Sequence, residues 1–181
     1  MLPPSIGDVT VYRLDLSRNA ITSLPSTIGN ITVLGSLDLH DNYLASLPDS
    51  FGNLKAGHLL LHDNRLATLP DSICDLKIPA DLNLSWNALE SLPDDIGRLT
   101  IGSSLILSDN RLTSLPATIG DIDLGAAVRD LDIEPRSCGC LNLNNNPLVY
   151  QEETAAQLLR LTDRGCSVVG EPEPPQACSV Q

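Results

Sequence analysis

The sequence predicts an α/β repeat solenoid, and three observations predict it. A Leu-Pro pair recurs at Leu2-Pro3, Leu24-Pro25, Leu47-Pro48, Leu69-Pro70, Leu92-Pro93 and Leu115-Pro116, with prolines 22, 23, 22, 23 and 23 residues apart. A segment LxLxxNxL recurs at Leu14–Ile21, Leu37–Leu44, Leu59–Leu66, Leu82–Leu89, Leu105–Leu112 and Leu141–Leu148. Within each copy the leucines alternate with polar residues, as Leu37 and Leu39 do with Ser36, Asp38 and His40. Self-similarity at such a period is the signature of stacked supersecondary units.

One copy explains the choice of residues. Alternation gives a short strand with an apolar and a polar face. Leu44, Leu47, Phe51 and Leu54 return to the same core from the rest of the coil. A single coil cannot bury that set, whereas stacked coils can. The strands then pair in parallel, roughly 4.8 Å apart. Pro48 stops strand pairing, and Gly52 is expected at a tight bend.

With its Leu-Pro and Ile-Gly pairs, this pattern resembles the leucine-rich repeat family, and the resemblance runs from Leu2 to about Leu148. It implies a curved leucine-rich repeat solenoid with a short parallel β-sheet on the concave face and a C-terminal helical cap. The short Leu-Pro, Ile-Gly form is similar to intracellular Ras-group scaffolds. That similarity implies a non-enzymatic protein–protein interaction module, binding a partner protein in intracellular signalling.

The organisation expected is repeats over 1–148, a cap over 149–169 and a Pro-rich acidic tail over 170–181. The chain opens on half a repeat, so a second reading is the binding region of a larger enzyme or receptor. Irregularities gather just before each strand. Leu34 holds the expected leucine position, where later copies have Pro79 and Gly102, and Lys55-Ala56-Gly57-His58 is one residue short. Extra residues enter within Asp123–Ser137, with a short helical turn expected over Leu124–Ile133 and Cys138 in a core position. Gln151–Arg164 has apolar Ala155, Leu158, Leu159 and Leu161, with Glu152 and Glu153 early and Arg160 and Arg164 late. That is an amphipathic helix with charges matched to its dipole, stopped at Gly165 and followed by a short strand at Cys166–Val169.

Composition narrows the function. Aromatics make up 3% of the chain, so the core is aliphatic. The net charge of −12 repels phosphate backbones and favours basic partners. The five cysteines, Cys74, Cys138, Cys140, Cys166 and Cys178, do not frame the repeats as the paired cap cysteines of secreted relatives do. That points to a reducing, cytoplasmic compartment. No apolar run has membrane-spanning length. The last four residues, Cys178-Ser179-Val180-Gln181, resemble a prenylation box. Modified at Cys178, the chain would be a prenyl-anchored adaptor or effector with weak peripheral membrane association.

No nucleophile–base arrangement or phosphate loop stands in the sequence, so no catalytic residue, cofactor or metal site is expected. His40, His58 and His62 fit no metal spacing. The column Asn19, Asn42, Asn64, Asn87, Asn110 and Asn146 is structural, since buried amides must find partners. The partner-binding candidates are the outward positions of the strand face: Asp38, His40, Asp41, Tyr43, His62, Asp63, Arg65, Trp86, Asp109 and Arg111. Trp86, the single tryptophan, is the expected anchor.

Overall fold

A computed structural model describes residues 2–125 and 139–172. Its strands are β1 (Thr10–Val11), β2 (Leu14–Asp15), β3 (Thr32–Asp38), β4 (Lys55–Leu60), β5 (Lys77–Ile78), β6 (Leu82–Asn83), β7 (Thr100–Ile101), β8 (Ser104–Ile106), β9 (Asp123–Leu124), β10 (Cys140–Asn142) and β11 (Ser167–Val169); the one α-helix among the described residues, α1, is Glu152–Asp163. One sheet runs β1-β3-β4-β6-β8-β10-β11, with β2 also on β3, and every pair is parallel. Its register aligns Leu14, Leu37, Leu59, Leu82, Leu105 and Leu141, one per copy of the motif. The chain is thus a curved solenoid with its parallel sheet on the concave side.

Each coil returns through a 3-10 turn on the convex side: Pro4–Asp8, Ser26–Asn30, Asp49–Asn53, Asp71–Asp75, Ile96–Arg98 and Ala117–Asp121. Proline precedes five of the six, extended at φ near −70°, as at Pro48 (φ −72°, ψ 153°). Between the two walls lies a core of Leu and Ile with Phe51, all nearly free of solvent.

The glycine of each turn has a different reason from the one expected. Gly52 is not at a bend that needs a positive φ. A Cβ there would stand 2.0 Å from the Ser72 carbonyl oxygen of the next coil, and one at Gly29 the same distance from Ser50. Glycine sets how closely the convex turns stack. Cys74 occupies this position in its own coil and is fully buried. The turn facing it begins only at Ile96, two residues later than the repeat would place it.

The irregular segments before the strands form a second set of rungs. Thr10–Val11, Thr32–Val33 and Lys55–Ala56 pair in the main sheet, and β5-β7-β9 continue the row as a separate parallel sheet. The core residues here are Val33, Ala56, Ile78, Ile101 and Leu124. Leu34, expected in the core, is 69% exposed. It lies in the register shift between Val33 and Ser36, where two residues face the single Gly57, so the extra residue bulges outward. Leu124, expected to open a helical turn, is instead the end of β9; the rest of that segment, with Cys138, lies outside the described residues. On one side of that segment Gly125 N–H bonds Ile101 O at 2.7 Å, and on the other Cys140 N–H bonds Ser103 O. Successive rungs therefore stay in register across the insertion.

Helix α1 covers the last coil. Thr154, Leu158 and Leu161 face inward, and Gly120 lets the helix backbone approach, since a Cβ there would meet Gln157 O at 2.5 Å. Arg160 pairs with Asp121 at 2.6 Å. The helix stops at Gly165 (φ 82°), where Cys166 N–H bonds Leu161 O and Gly165 N–H bonds Thr162 O. Those two bonds satisfy the last carbonyls in the Schellman pattern. The next residues, β11, add a rung to β10, so the cap supplies a strand as well as a helix.

Candidate partner-binding surface

Three residues past the end of β2, β3, β4, β6, β8 and β10 the backbone takes the same unusual conformation. Arg18, Asp41, Asp63, Trp86, Asp109 and Asn145 all have φ between 52° and 57°. This left-handed conformation costs an L-residue roughly 1–2 kcal/mol, less for Asn and Asp. It turns the chain sharply enough for the next residue, the column asparagine, to point inward. The N–H groups of the turn are used between coils: Asp41 to His62 O, Asp63 to Ser85 O, Trp86 to Ser108 O at 3.1 Å.

The asparagines then hold the bend. Asn87 Oδ1 accepts from Leu66 N–H at 2.9 Å, while its amide donates to Leu61 O, Leu84 O and Ser85 O. Asn42, Asn64, Asn110 and Asn146 repeat that set one coil apart. Asn19 is exposed and, among the described residues, donates to Leu16 O and Ser17 O.

Of the ten candidates, nine present some surface on the concave side and one does not. Asp38 is 6% exposed. Alternation points it outward, but His40 folds over it: the ring Nδ1–H donates to Asp38 Oδ1 at 2.6 Å and the backbone N–H at 3.2 Å. Asp38 is a support for His40, not a contact surface. The His40 ring stacks on His62, with centroids 4.6 Å apart and planes 3° from parallel. Burial strips water from His62 and, with His40 beside it, holds its pKa below the usual histidine value. His62 Nδ1 is buried with no hydrogen-bond partner. The third histidine lies elsewhere, with His58 Nδ1 3.2 Å from Asp81. No group of three metal-ligating side chains forms among the described residues.

In the outer column the Arg65 guanidinium lies over the Tyr43 ring, 4.3 Å from its centroid, and Arg111 is exposed. Between these features stands Trp86, 60% exposed. Asp63 and Asp109 hold the same position in the coils on either side, and Asn145 donates to Asp109 at 2.8 Å. The sequence named these side chains but not the backbone that presents them. The signal was there in Asp41, Asp63, Asp109 and Asn145, the residue types that tolerate a left-handed backbone. Against that background Trp86 is the outlier. Cys178 lies outside the described residues.

On the convex side, a depression of about 530 Å³ is lined by Asp71, Ser72, Asp75, Asp94, Asp95 and Arg98. Its one base, Arg98, is paired with Asp75 and lies 3.7 Å from Asp95.

A sheet of parallel rungs, an asparagine ladder and 3-10 turns on the opposite wall define a class of repeat solenoid. The fold is that of leucine-rich repeat proteins, and the Leucine Rich Repeat family model matches residues 10–31 and 34–54. No curated protein sequence matches it significantly. Among solved structures it is similar to a leucine-rich repeat protein of Leptospira interrogans, at 24% identity and a TM-score of 0.51 over 92% of this chain and 51% of that one. It is also similar to YopM from Yersinia enterocolitica, at 22% identity and a TM-score of 0.46 over 77% of this chain and 31% of that one. A Shigella effector leucine-rich repeat domain matches at 21% identity and a TM-score of 0.46, over 87% of this chain and 80% of that domain. The chain thus spans about half the length of the Leptospira protein. The likeness to it is one of fold.

Proposed function

We propose that the chain is a non-enzymatic protein-interaction module of intracellular signalling, and that it binds its partner through the concave face. The observation that carries this is Trp86. A bulky aromatic in a left-handed backbone is strained, and residues held that way cluster where strain serves a function. With Trp86 60% exposed, most of its surface is left available to a partner. Large exposed aromatics beside charged groups are the usual anchors of protein interfaces. Tyr43, Arg65 and the His40–His62 stack extend the same surface. A reducing compartment fits Cys74 and Cys140, which are free thiols.

The test is affinity capture with the chain as bait. Trp86→Asn relieves the strain, and the lost cover of the indole offsets that gain, each by about 1–2 kcal/mol. Its thermal midpoint should therefore stay close to that of the parent. Partner recovery should vanish with Trp86→Asn and persist with Asp94→Ala in the convex depression. Recovery lost with Asp94→Ala and kept with Trp86→Asn would move the interface to the convex wall.

A further inference from the structure

Trp86 stands between two carboxylates that form no ion pair among the described residues. Asp63 and Asp109 occupy its position in the neighbouring coils, about one strand spacing away on each side, and Asp41 lies one coil beyond Asp63. Among the described residues none of the three forms an ion pair. The nearby base Arg65 is engaged on the Tyr43 ring. Arg111 stands in the outer column, across Ala88 from Arg65. On the strand side of the indole are Ser85 and Ser108, short, uncharged and buried. An approach from that side meets an exposed aromatic and two carboxylates, with the desolvated His62 beside Asp63.

Three terms favour one kind of guest. The negative face of an indole attracts a cation. A guanidinium is flat enough to stack on that face and presents a fork of donors to a carboxylate at its edge. A chain of net charge −12 draws basic partners toward itself. We propose that the concave face takes a basic segment of its partner protein, with an arginine lying on the Trp86 indole and its guanidinium between Asp63 and Asp109. This rests on the concave-face reading and adds the chemistry of the partner to it.

Trp86 is the only tryptophan, so its emission reports this seat directly. The probe is a short capped peptide alternating arginine with alanine, titrated into the full chain at about 150 mM NaCl. The expected result is a saturable change in tryptophan emission, several-fold weaker binding of the lysine counterpart, and no change with the glutamate counterpart. A chain carrying both Asp63→Asn and Asp109→Asn should keep its thermal midpoint and bind the arginine peptide at least about tenfold more weakly. An arginine peptide that leaves the emission unmoved, or binds the doubly substituted chain as tightly as the parent, overturns the proposal. The two readings separate on a captured partner protein. Loss with Trp86→Asn but retention in the doubly substituted chain removes the arginine seat and keeps the concave interface. Retention in both removes both.

Discussion

At the scale of single residues, the solenoid gives each position in the coil one physical task, and the column shows where a residue departs from it. His62 departs by being held uncharged. Desolvation, with His40 stacked at 4.6 Å, lowers its pKa from the usual 6.5, and its buried Nδ1 has no partner. The unfolded chain takes up this proton near 6.5, whereas the folded chain resists until lower pH. In the window just below 6.5 the unfolded state binds more protons, so stability falls as pH drops through it. Urea midpoints at about pH 7.5 and about pH 5.5 should show this loss, and a smaller one in His62→Gln. An equal loss in the variant would acquit His62. Asn87 departs in no way, and its four hydrogen bonds join two coils. Asn87→Ala should cost about 1–3 kcal/mol by leaving buried backbone groups unpaired. The exposed Ser114→Ala on the same chain should cost almost nothing, and equal midpoints would mean the amide ties nothing together. The asparagine column was legible in the sequence because a repeated amide among leucines has few other uses. Asp38 was not, because alternation fixes which side a residue leaves the strand but not whether His40 then closes over it.

At the scale of the element, the coil was legible and its two joints were not. The leucine periodicity located the strands, and the Leu-Pro pairs located the convex turns. The glycine after Ile28 or Phe51 was visible as a pattern, but its reason lies in the neighbouring coil, which a one-coil reading does not contain. The carbonyl of Ser72 occupies the space a side chain at position 52 would need. Gly52→Ala should therefore cost about 1–3 kcal/mol through overpacking. Cys74→Ala, at the one coil whose neighbour has shifted its turn, should cost less. Paired denaturation curves decide it: if Cys74→Ala proves the more damaging, stacking distance is not what selects glycine here. The second row of rungs was missed for a related reason. Val33, Ala56, Ile78, Ile101 and Leu124 share one structural position, but the bulge at Leu34 and the missing residue before Gly57 break their spacing relative to the leucines. Leu34 in the expected place concealed that Val33 fills it.

At the scale of the whole molecule, each coil touches its neighbours and little else, so a defect should spread along the stack in proportion to shared contacts. Stability in such arrays is close to a sum of coil terms and nearest-neighbour interfaces. Leu84 sits midway along the sheet, 1% exposed. Its N–H bonds Ile106 O of the next coil, and its carbonyl receives the amides of both Asn87 and Asn110. Leu84→Ala should destabilise the chain by about 2–5 kcal/mol, the range for a buried leucine truncated inside a packed core. The pattern of the loss carries more information than its size. Amide exchange should quicken most at Leu61, Leu84 and Leu107, whose N–H groups form the rungs on either side of the cavity, and progressively less toward Leu39 and Leu143. A chain in which every amide quickens equally would be opening as one unit, with α1 and the sheet melting together, and the nearest-neighbour picture would not hold. An unchanged denaturation midpoint would place Leu84 outside the core and shift the register of the sheet, and with it the outward positions that form the concave face around Trp86.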